Sequence, residues 1–567
     1  GEPIYNLGLV LKYQGNFWEA YDMFYKSTWN GAWQDAGFFE CAQISVMLHR
    51  MDDAREEIEN CLIRNTHNHK ARALKAAILR LTDKKDEAIA WCEVSLKIDQ
   101  FNYGCLFELF LSTDNNKYLD KMVEMMHGMP NNYDELALDY AGAGLYGEAL
   151  KVLQAAIDNK AITPMTYYYL GWVLRRKDPD DWEIAESSYI LASEYPSDYC
   201  FPNRPEAVLA LKDAMRMNKK DAKAPYYLGC LYYDKRQYDV AMEVWRESAE
   251  TDPKFPTVWR NLALGLFNKE HKGEEAVKCM EKAFLLDTTD ARILMELDQL
   301  YKRLGYAHAM RLKHLQQYPE LIAKRDDLLL EEITLLNQTG NYAEAMKKLD
   351  AHQFHPWEGG EGKVSGQYQL CRLELAKQAL VRKDYDTAIS LLEACLVYPH
   401  HLGEGKLYGA QENDFYYFLG CAYQAKGMDD KAKECWEEAT KGPQEPAAAM
   451  YYNDAKPDKI FYQGLALLKL GRVDEAHGRF YKLVNYGKNH LFEDVVMDYF
   501  AVSLPDLQIW EGDLNLSNQI HCNYMLALGF YGLGDKKHAE RYLEKASQLD
   551  KNHLGILSFK TLIELGF

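Results

Sequence analysis

The chain has 567 residues, of which 66 are basic and 85 are acidic, so its formal net charge is −19. Such an acidic surface repels the phosphates of nucleic acids, and we therefore exclude a nucleic-acid partner. Apolar residues make up 48% of the chain, yet no apolar run approaches the roughly 18 residues that a membrane-spanning helix needs, so we expect no membrane association.

Small residues recur at a fixed spacing near the start of the chain. One returns every 34 positions, and a second small residue stands twelve positions before each. These pairs are Gly8/Ala20, Ala42/Ala54 and Ala76/Ala88. A larger residue follows four positions later, as Phe24 and Ile58 do. The spacing is typical of two antiparallel helices, because small residues let the backbones approach closely and the large residue fills the groove between neighbouring pairs.

The same spacing continues along the rest of the chain. Clear copies occur at Ala137/Ala149, Gly229/Ala241, Gly420/Ala432, Gly464/Ala476 and Ala527/Ala539. Looser copies begin near Thr166, Thr257, Ala291, Leu328 and Tyr368, and a degenerate copy occupies Tyr103 to Met126. The pattern therefore predicts about fourteen helix pairs. Arg204 to Met217 is predicted as an extra helix, and Leu554 to Leu565 as a final helix that covers the last pair.

The first repeat carries a family resemblance in three short stretches. Residues 5–8 (YNLG), 14–16 (QGN) and 19–20 (EA) resemble the 34-residue tetratricopeptide repeat. The resemblance implies an all-α fold: a right-handed α-solenoid superhelix of tetratricopeptide-type helix pairs with a C-terminal capping helix. It also implies that the first helix of each pair lines a concave groove.

Groove positions in this chain are rich in aromatic and basic residues. They lie two, five, nine, twelve and thirteen residues into the motif, and we read them in the first, sixth, seventh and twelfth repeats. The candidate groove residues are Tyr5, Lys12, Tyr13, Tyr168, Trp172, Arg175, Arg176, Tyr226, Tyr233 and Tyr417. Rigid amphipathic rings beside a few charges are typical of surfaces that hold peptides or sugars. The alternative is that these tyrosines, among the 40 of the chain, are half-buried packing residues.

The organisation changes after residue 353. A Gly- and Glu-rich stretch, Phe354 to Ser365, interrupts the helices, and the later connections become long, as Pro399 to Glu412 and Tyr486 to Leu516 are. We therefore expect two parts. Residues 1–353 form a tetratricopeptide repeat solenoid, and residues 354–567 form elaborated repeats with long connecting loops that continue the first part.

A second resemblance lies in the C-terminal part. The segments at residues 357–362 (WEGGEG), 402–406 (LGEGK), 450–454 (MYYND), 498–506 (DYFAVSLPD) and 521–524 (HCNY) follow one another in this order. This succession resembles the repeat region of large bacterial proteins that carry an N-terminal domain of unknown function related to sugar mutarotases. The chain lacks that domain and opens on Gly1 with the first repeat already in phase, so we expect a piece of a longer protein.

Two of these segments place carboxylates beside glycines, which suggests a pocket where the long loops meet. Its members would be Trp357, Glu361, Glu404, Tyr451, Tyr452, Asn453 and Asp454. Sugar hydroxyls would suit the carboxylates and the amide, with an aromatic ring stacking on the sugar. A cation would suit the carboxylate oxygens equally well. The structural alternative is that the glycine turns and their carboxylates cap neighbouring helices.

The sequence offers no strong catalytic, nucleotide or metal motif. It contains neither a Gly-x-Gly-x-x-Gly fingerprint nor a phosphate-binding loop, and the His67, His69, His400 and His401 side chains have no partners at metal-ligand spacing. Cysteines at small core positions, such as Cys41 and Cys395, indicate reduced packing residues and a cytoplasmic location. We expect no enzymatic activity in this region, no cofactor and no metal.

These features favour a non-catalytic protein–protein interaction scaffold. Its groove would bind a peptide or a partner domain, including the absent N-terminal domain. The alternative is a carbohydrate-recognising accessory region of a larger, sugar-active bacterial protein.

Overall fold

The computed structural model describes residues 1–180, 182–357, 359–448, 454–496 and 509–566. These residues form helices and connecting turns, with short 3-10 turns at Gly31–Trp33 and His400–Leu402 and no β-strand among them. The all-α prediction is therefore confirmed. The helices are α1 (Glu2–Tyr13), α2 (Phe17–Ser27), α3 (Gln34–Met47), α4 (Met51–Arg64), α5 (His69–Leu81), α6 (Lys85–Ile98), α7 (Tyr103–Thr113), α8 (Asn116–Met126), α9 (Pro130–Gly142), α10 (Tyr146–Asp158), α11 (Pro164–Lys177), α12 (Trp182–Glu194), α13 (Pro205–Met217), α14 (Lys223–Asp234), α15 (Tyr238–Thr251), α16 (Pro256–Asn268), α17 (Gly273–Leu286), α18 (Ala291–Arg303), α19 (His308–Leu315), α20 (Pro319–Ile322), α21 (Asp326–Gln338), α22 (Tyr342–Ala351), α23 (Lys363–Val381), α24 (Tyr385–Cys395), α25 (Asn413–Ala425), α26 (Asp429–Ala439), α27 (Pro457–Lys469), α28 (Val473–His490), α29 (Leu514–Gly532), α30 (Lys536–Leu549) and α31 (Leu554–Glu564).

The order of these helices gives fourteen successive pairs across the described residues, with α13, α20 and α31 outside the pairing. Helices pack within a pair, as α3 with α4 and α29 with α30 do. The first helices of neighbouring pairs also pack on each other, as α5 with α7 and α25 with α27 do. This succession is an α-solenoid, as predicted, and α13 and α31 coincide with the two predicted extra helices.

The spacing of small and large residues has a direct structural cause. A Cβ atom added at Gly420 would lie 2.3 Å from Nε1 of Trp436, and one at Gly464 would lie 2.3 Å from Cε1 of Phe480. The large side chain of the second helix therefore packs directly over the glycine of the first. Cys41 and Cys395 are fully buried, in agreement with their prediction as packing residues.

The chain consists of two compact units, Gly1–Val258 and Trp259–Phe567. The first unit contains α1 to α15, and the second contains α17 to α31. The predicted boundary after residue 353 lies inside the second unit, in the loop between α22 and α23. There the backbone N–H of Phe354 donates to the carbonyl of His401 at 2.8 Å. The division at residue 353 into a repeat solenoid and a part with elaborated repeats stays a prediction.

The sequence predicts no membrane-spanning helix. None of the helices in the described ranges is both long enough and apolar enough to cross a bilayer.

Candidate functional site

A cavity of about 170 Å³ lies between α3, α5, α7 and α9, each of which is the first helix of a pair in the first unit. Its apolar wall contains Phe39, Leu74, Phe101, Tyr103 and Leu136. Leu74 and Leu136 are buried, whereas Phe101 is half exposed. The cavity therefore offers an apolar surface to a side chain that enters from outside, which is the usual composition of a ligand pocket.

Charged side chains surround one side of this cavity. Lys70 lies 2.7 Å from Asp139 and 3.7 Å from Glu135, and Arg204 lies 2.6 Å from Glu135. Burial raises the pKa of Asp139, although Lys70 and Arg204 act in the opposite direction. The lining residue His69 has a buried Nδ1 atom with no hydrogen-bond partner among the residues that the structure describes. The site thus combines an apolar wall with paired charges and one unsatisfied ring nitrogen.

Small residues and a helix cap hold α5 and α7 close together at the cavity. A Cβ atom on Gly104 would lie 2.5 Å from the Cβ of Ala73, so the two backbones approach closely there. Asn102 accepts a hydrogen bond from the backbone N–H of Cys105 and donates one to the carbonyl of His69 at 3.2 Å. These contacts fix the cavity wall because the cap and the close approach use backbone atoms of both helices.

The predicted groove residues of the first repeat link α1 to α3 and to α13. Lys12 donates to Glu40 at 2.6 Å and to Gln43 at 2.7 Å, while Tyr5 donates to Glu40 at 3.5 Å. The hydroxyl of Tyr13 donates to Glu206 of α13 at 3.2 Å. The structure therefore brings these three residues into polar contacts within the unit.

The predicted groove residues of the sixth repeat are covered by α13 and the turn that follows it. Tyr168 is fully buried and donates to Asp221 at 2.8 Å. Arg175 lies 3.4 Å from Asp213 of α13. Trp172 is also buried, and the guanidinium of Arg176 lies 5.6 Å from the centre of its ring.

The remaining groove candidates pack against neighbouring rings. Tyr226 contacts Phe255, with ring centres 4.9 Å apart, and Tyr233 contacts Trp245 at 5.2 Å. In the second unit, Tyr417 is buried with its ring centre 5.6 Å from that of Tyr462. A ligand reaches Tyr168 or Tyr417 only if neighbouring side chains move. Their role in binding stays a prediction.

The predicted loop pocket is described only in part. Glu404 accepts hydrogen bonds from the backbone N–H groups of Gly362, at 2.9 Å, and Ser365, at 3.1 Å. It therefore caps the start of α23, which is the structural alternative for this carboxylate. Trp357 packs over Gly360, where a Cβ atom would lie 2.4 Å from its ring. Glu361 is exposed.

The third loop of that pocket is tied to the second. The backbone carbonyl of Asp454 accepts a hydrogen bond from Gln411 at 3.1 Å, and the side-chain oxygen of Gln411 accepts one from the N–H of Lys456. Tyr451, Tyr452 and Asn453 lie outside the described residues. A pocket formed by all three loops therefore stays a prediction. No group of three His, Cys, Asp or Glu side chains within the described ranges is arranged to hold a metal ion.

The cavity itself was missed in the sequence, although a signal for it exists. Phe39 and Gln43 occupy motif positions five and nine of the second repeat, and Lys70 and Ala73 occupy positions two and five of the third. All four line the cavity. The groove positions that identify Tyr5 in the first repeat would have identified them too.

Comparison with known families concerns two segments of the second unit. Two segments match one repeat family. Residues 414–441 contain α26 and all but the first residue of α25, and residues 520–553 contain α30 and most of α29. Both segments match the tetratricopeptide repeat. The match agrees with the resemblance in the first repeat and with the pairing of helices along the solenoid. The resemblance to large bacterial proteins with a mutarotase-like domain stays a prediction.

Several solved structures align with the chain at low identity. Residues 41 to the end of MamA from Desulfovibrio magneticus RS-1 are 18% identical, with 35% of this chain and 97% of that chain covered and a TM-score of 0.21. Yeast Tom70 is 15% identical, with 76% and 96% covered and a TM-score of 0.22. The structure of Naa15/Naa10 bound to HypK-THB is 14% identical, with 100% and 96% covered and a TM-score of 0.21.

Proposed function

We propose that the chain is a protein-interaction scaffold whose first unit binds a peptide in the cavity between α3, α5, α7 and α9. The observation that carries this proposal is the cavity itself, which lies among first helices and has an apolar wall beside paired charges. An apolar side chain of the peptide enters between Leu74 and Leu136. The peptide backbone contacts the polar groups of Gln43 and Lys70 at the edge of the cavity.

The predicted groove residues extend this proposal along the first unit. Tyr5, Lys12 and Tyr13 lie on α1, and Gln43, which Lys12 contacts, lines the cavity. A peptide that leaves the cavity toward α1 meets these side chains next. Tyr168 and Trp172 are buried and pack within the unit, so this proposal gives them no contact with the peptide.

The experiment compares two alanine-to-leucine variants. Peptides are selected from a random 15-residue phage-displayed library on the purified chain, and their affinities are measured by fluorescence anisotropy. Ala73→Leu enlarges a side chain that lines the cavity and faces Gly104, and this variant is used only if its circular dichroism matches that of the parent. Ala90→Leu changes an exposed position of α6 to the same residue. We expect the first variant to weaken binding about tenfold or more and the second to leave it unchanged. Peptides that bind both variants like the parent would contradict the proposal.

The carbohydrate-recognising alternative stays a prediction. It depends on loop residues of which Glu404 caps a helix and Glu361 is exposed. A thermal-shift titration with mono- and oligosaccharides tests it, because a ligand of the folded state raises its stability. A sugar that stabilises the parent chain but not the Glu361→Gln variant would support this alternative, and no shift with any sugar would count against it.

A further inference from the structure

The C-terminal helix α31 lies on the first helices of the second unit rather than covering the last pair alone. It contacts α30 and also α23. Its buried residues are Ile556, Phe559 and Leu562, which share one face because they are three positions apart. The ring of Phe559 lies 5.6 Å from Phe461 of α27 and 5.3 Å from Tyr531 of α29.

A buried ion pair contacts the same helix. Lys377 and Glu374 of α23 lie 2.7 Å apart, and both side chains are almost fully buried. Lys377 donates to the hydroxyl of Ser558 at 2.9 Å and lies 3.3 Å from its carbonyl, while Ser558 donates to Glu374 at 2.5 Å. If α31 left, the buried pair would lose three hydrogen bonds, and two of them involve the hydroxyl of Ser558. The pair therefore favours a helix with a hydroxyl at this position.

The link before α31 is anchored at a different place. Asn552 Oδ1 lies 2.9 Å from Nε2 of His308, and its backbone carbonyl accepts a hydrogen bond from Gln338 at 2.9 Å. The link therefore stays attached to α19 and α21 through contacts that do not involve α31. Because α31 belongs to no helix pair, its departure separates none of the pairs.

We propose that the surface formed by α23, α27 and α29, which we name the helix-binding face, is a second interaction surface. It is defined by Glu374, Lys377, Phe461, Tyr531 and Tyr524, and the ring centre of Tyr524 lies 6.5 Å from that of Phe559. Its occupant in this chain is α31, and it exchanges α31 for a helix of a partner protein. That partner helix carries apolar residues at the spacing of Ile556, Phe559 and Leu562 and a hydroxyl residue in the place of Ser558. This surface is separate from the peptide cavity of the first unit.

Competition from the tethered helix makes the exchange selective. A tethered segment has an effective concentration in the millimolar range, so a partner helix must bind more tightly than α31 or arrive at high concentration. The apolar pattern alone occurs in many amphipathic helices. The hydroxyl requirement adds a second criterion, because an apolar residue there would remove the two hydrogen bonds that the hydroxyl of Ser558 makes with Lys377 and Glu374.

The test uses the full chain and a fluorescent peptide with the sequence of residues 551–566. Phe559→Ala in the chain weakens the tethered competitor, and we expect the peptide to bind this variant about tenfold or more tightly than the parent. Glu564→Ala, an exposed change on the same helix, should bind like the parent. Lys377→Met added to Phe559→Ala should reverse the gain, as should Ser558→Ala within the peptide.

Two results would overturn the proposal. One is a Phe559→Ala chain with unchanged circular dichroism and no gain in peptide binding. The other result is measured by hydrogen exchange on the parent chain, and it decides the question if the Phe559→Ala variant fails to fold. An exchangeable α31 opens separately, so its amides should exchange faster than those of the buried face of α30. Equal protection of the two helices would make α31 a permanent part of the fold.

Discussion

Arg311 and Asp298 are joined by two hydrogen bonds, of 2.6 and 3.1 Å, although both side chains are fully buried. Arg311 also donates to Glu331 at 2.6 Å. Burial alone would raise the pKa of Glu331, but Lys302 and Arg311 together lower it to about 2. One guanidinium therefore bridges two carboxylates at the contact between α18, α19 and α21, and Lys302 supplies a second positive charge 3.1 Å from Glu331.

Removing this guanidinium takes both hydrogen bonds of Arg311 from Asp298 and leaves Glu331 paired with Lys302. We expect Arg311→Met to lower the free energy of unfolding of the second unit by about 3–5 kcal/mol, as loss of one partner of a buried ion pair does. Urea denaturation followed by tryptophan fluorescence measures the change. Arg541→Met, at an exposed position of α30, is the control and should cost less than about 0.5 kcal/mol. Equal losses in both variants would refute the prediction.

A second prediction concerns the glycine beneath Trp436. Gly420→Ala places a Cβ atom 2.3 Å from the indole, so the ring must move and the unfolding free energy should fall by about 1–3 kcal/mol. Gly478→Ala is the matched control, because no atom lies within 4 Å of its added Cβ. It should stabilise α28 by about 0.5–1 kcal/mol through helix propensity. Thermal denaturation distinguishes the two signs.

Asp134 gives a prediction about pH. Burial raises its pKa from 3.8 to about 7, although the hydroxyl of Thr166 donates to it at 3.2 Å. The folded state therefore binds this proton more tightly than the unfolded chain, and the contribution of Asp134 to stability declines as the pH rises from about 4 to 7.

We expect Asp134→Asn to remove this decline. The variant should match the parent below pH 4 and exceed its stability at pH 8.5 by at most about 4 kcal/mol. Denaturation midpoints at both pH values provide the measurement. Asp120→Asn, at an exposed position of α8, should follow the parent at every pH. An Asp134→Asn chain with the pH profile of the parent would show that this carboxyl titrates normally.

The cap formed by Glu404 is testable by local exchange. Glu404→Ala removes the acceptor for two backbone N–H groups at the start of α23 and should cost about 1–2 kcal/mol. Hydrogen exchange should accelerate in the first turn of α23 and remain slow in its middle. Glu361→Ala, on the exposed neighbouring turn, should leave that exchange unchanged. Similar acceleration in both variants would argue against a cap.

The helix pairs could be predicted because their cause is local and repeated. Each pair places a small residue and a large one at the same spacing, as Gly420 and Trp436 do, so one motif identifies the whole succession. The exposure of a groove residue depends on elements outside its own repeat. Tyr168 has the motif position of a groove residue, but α13, an insertion into the repeat pattern, brings Asp221 and Asp213 over this part of the groove.

The contacts of the long connections could not be predicted from the sequence for a similar reason. Trp510 is buried against Phe267, and its indole N–H donates to the carbonyl of Glu296, 214 positions earlier. A contact between such distant positions leaves no periodic signal. The position of α31 illustrates the same limit, since its existence follows from its apolar spacing but its place on α23 depends on Lys377 and Ser558.

The distance in sequence between these partners has a consequence for biosynthesis. Arg303 donates to the carbonyl of Trp510, which is 207 positions later, and His308 meets Asn552 across 244 positions. A ribosome that adds about 5–20 residues per second needs about 10–40 s to supply the first of these partners. During that time α18 and α19 are already outside the exit tunnel, with Arg311 and its carboxylates made but their later neighbours still unsynthesised. The second unit therefore completes its folding only after Asn552 has been synthesised, and its early helices depend on their own local stability until then.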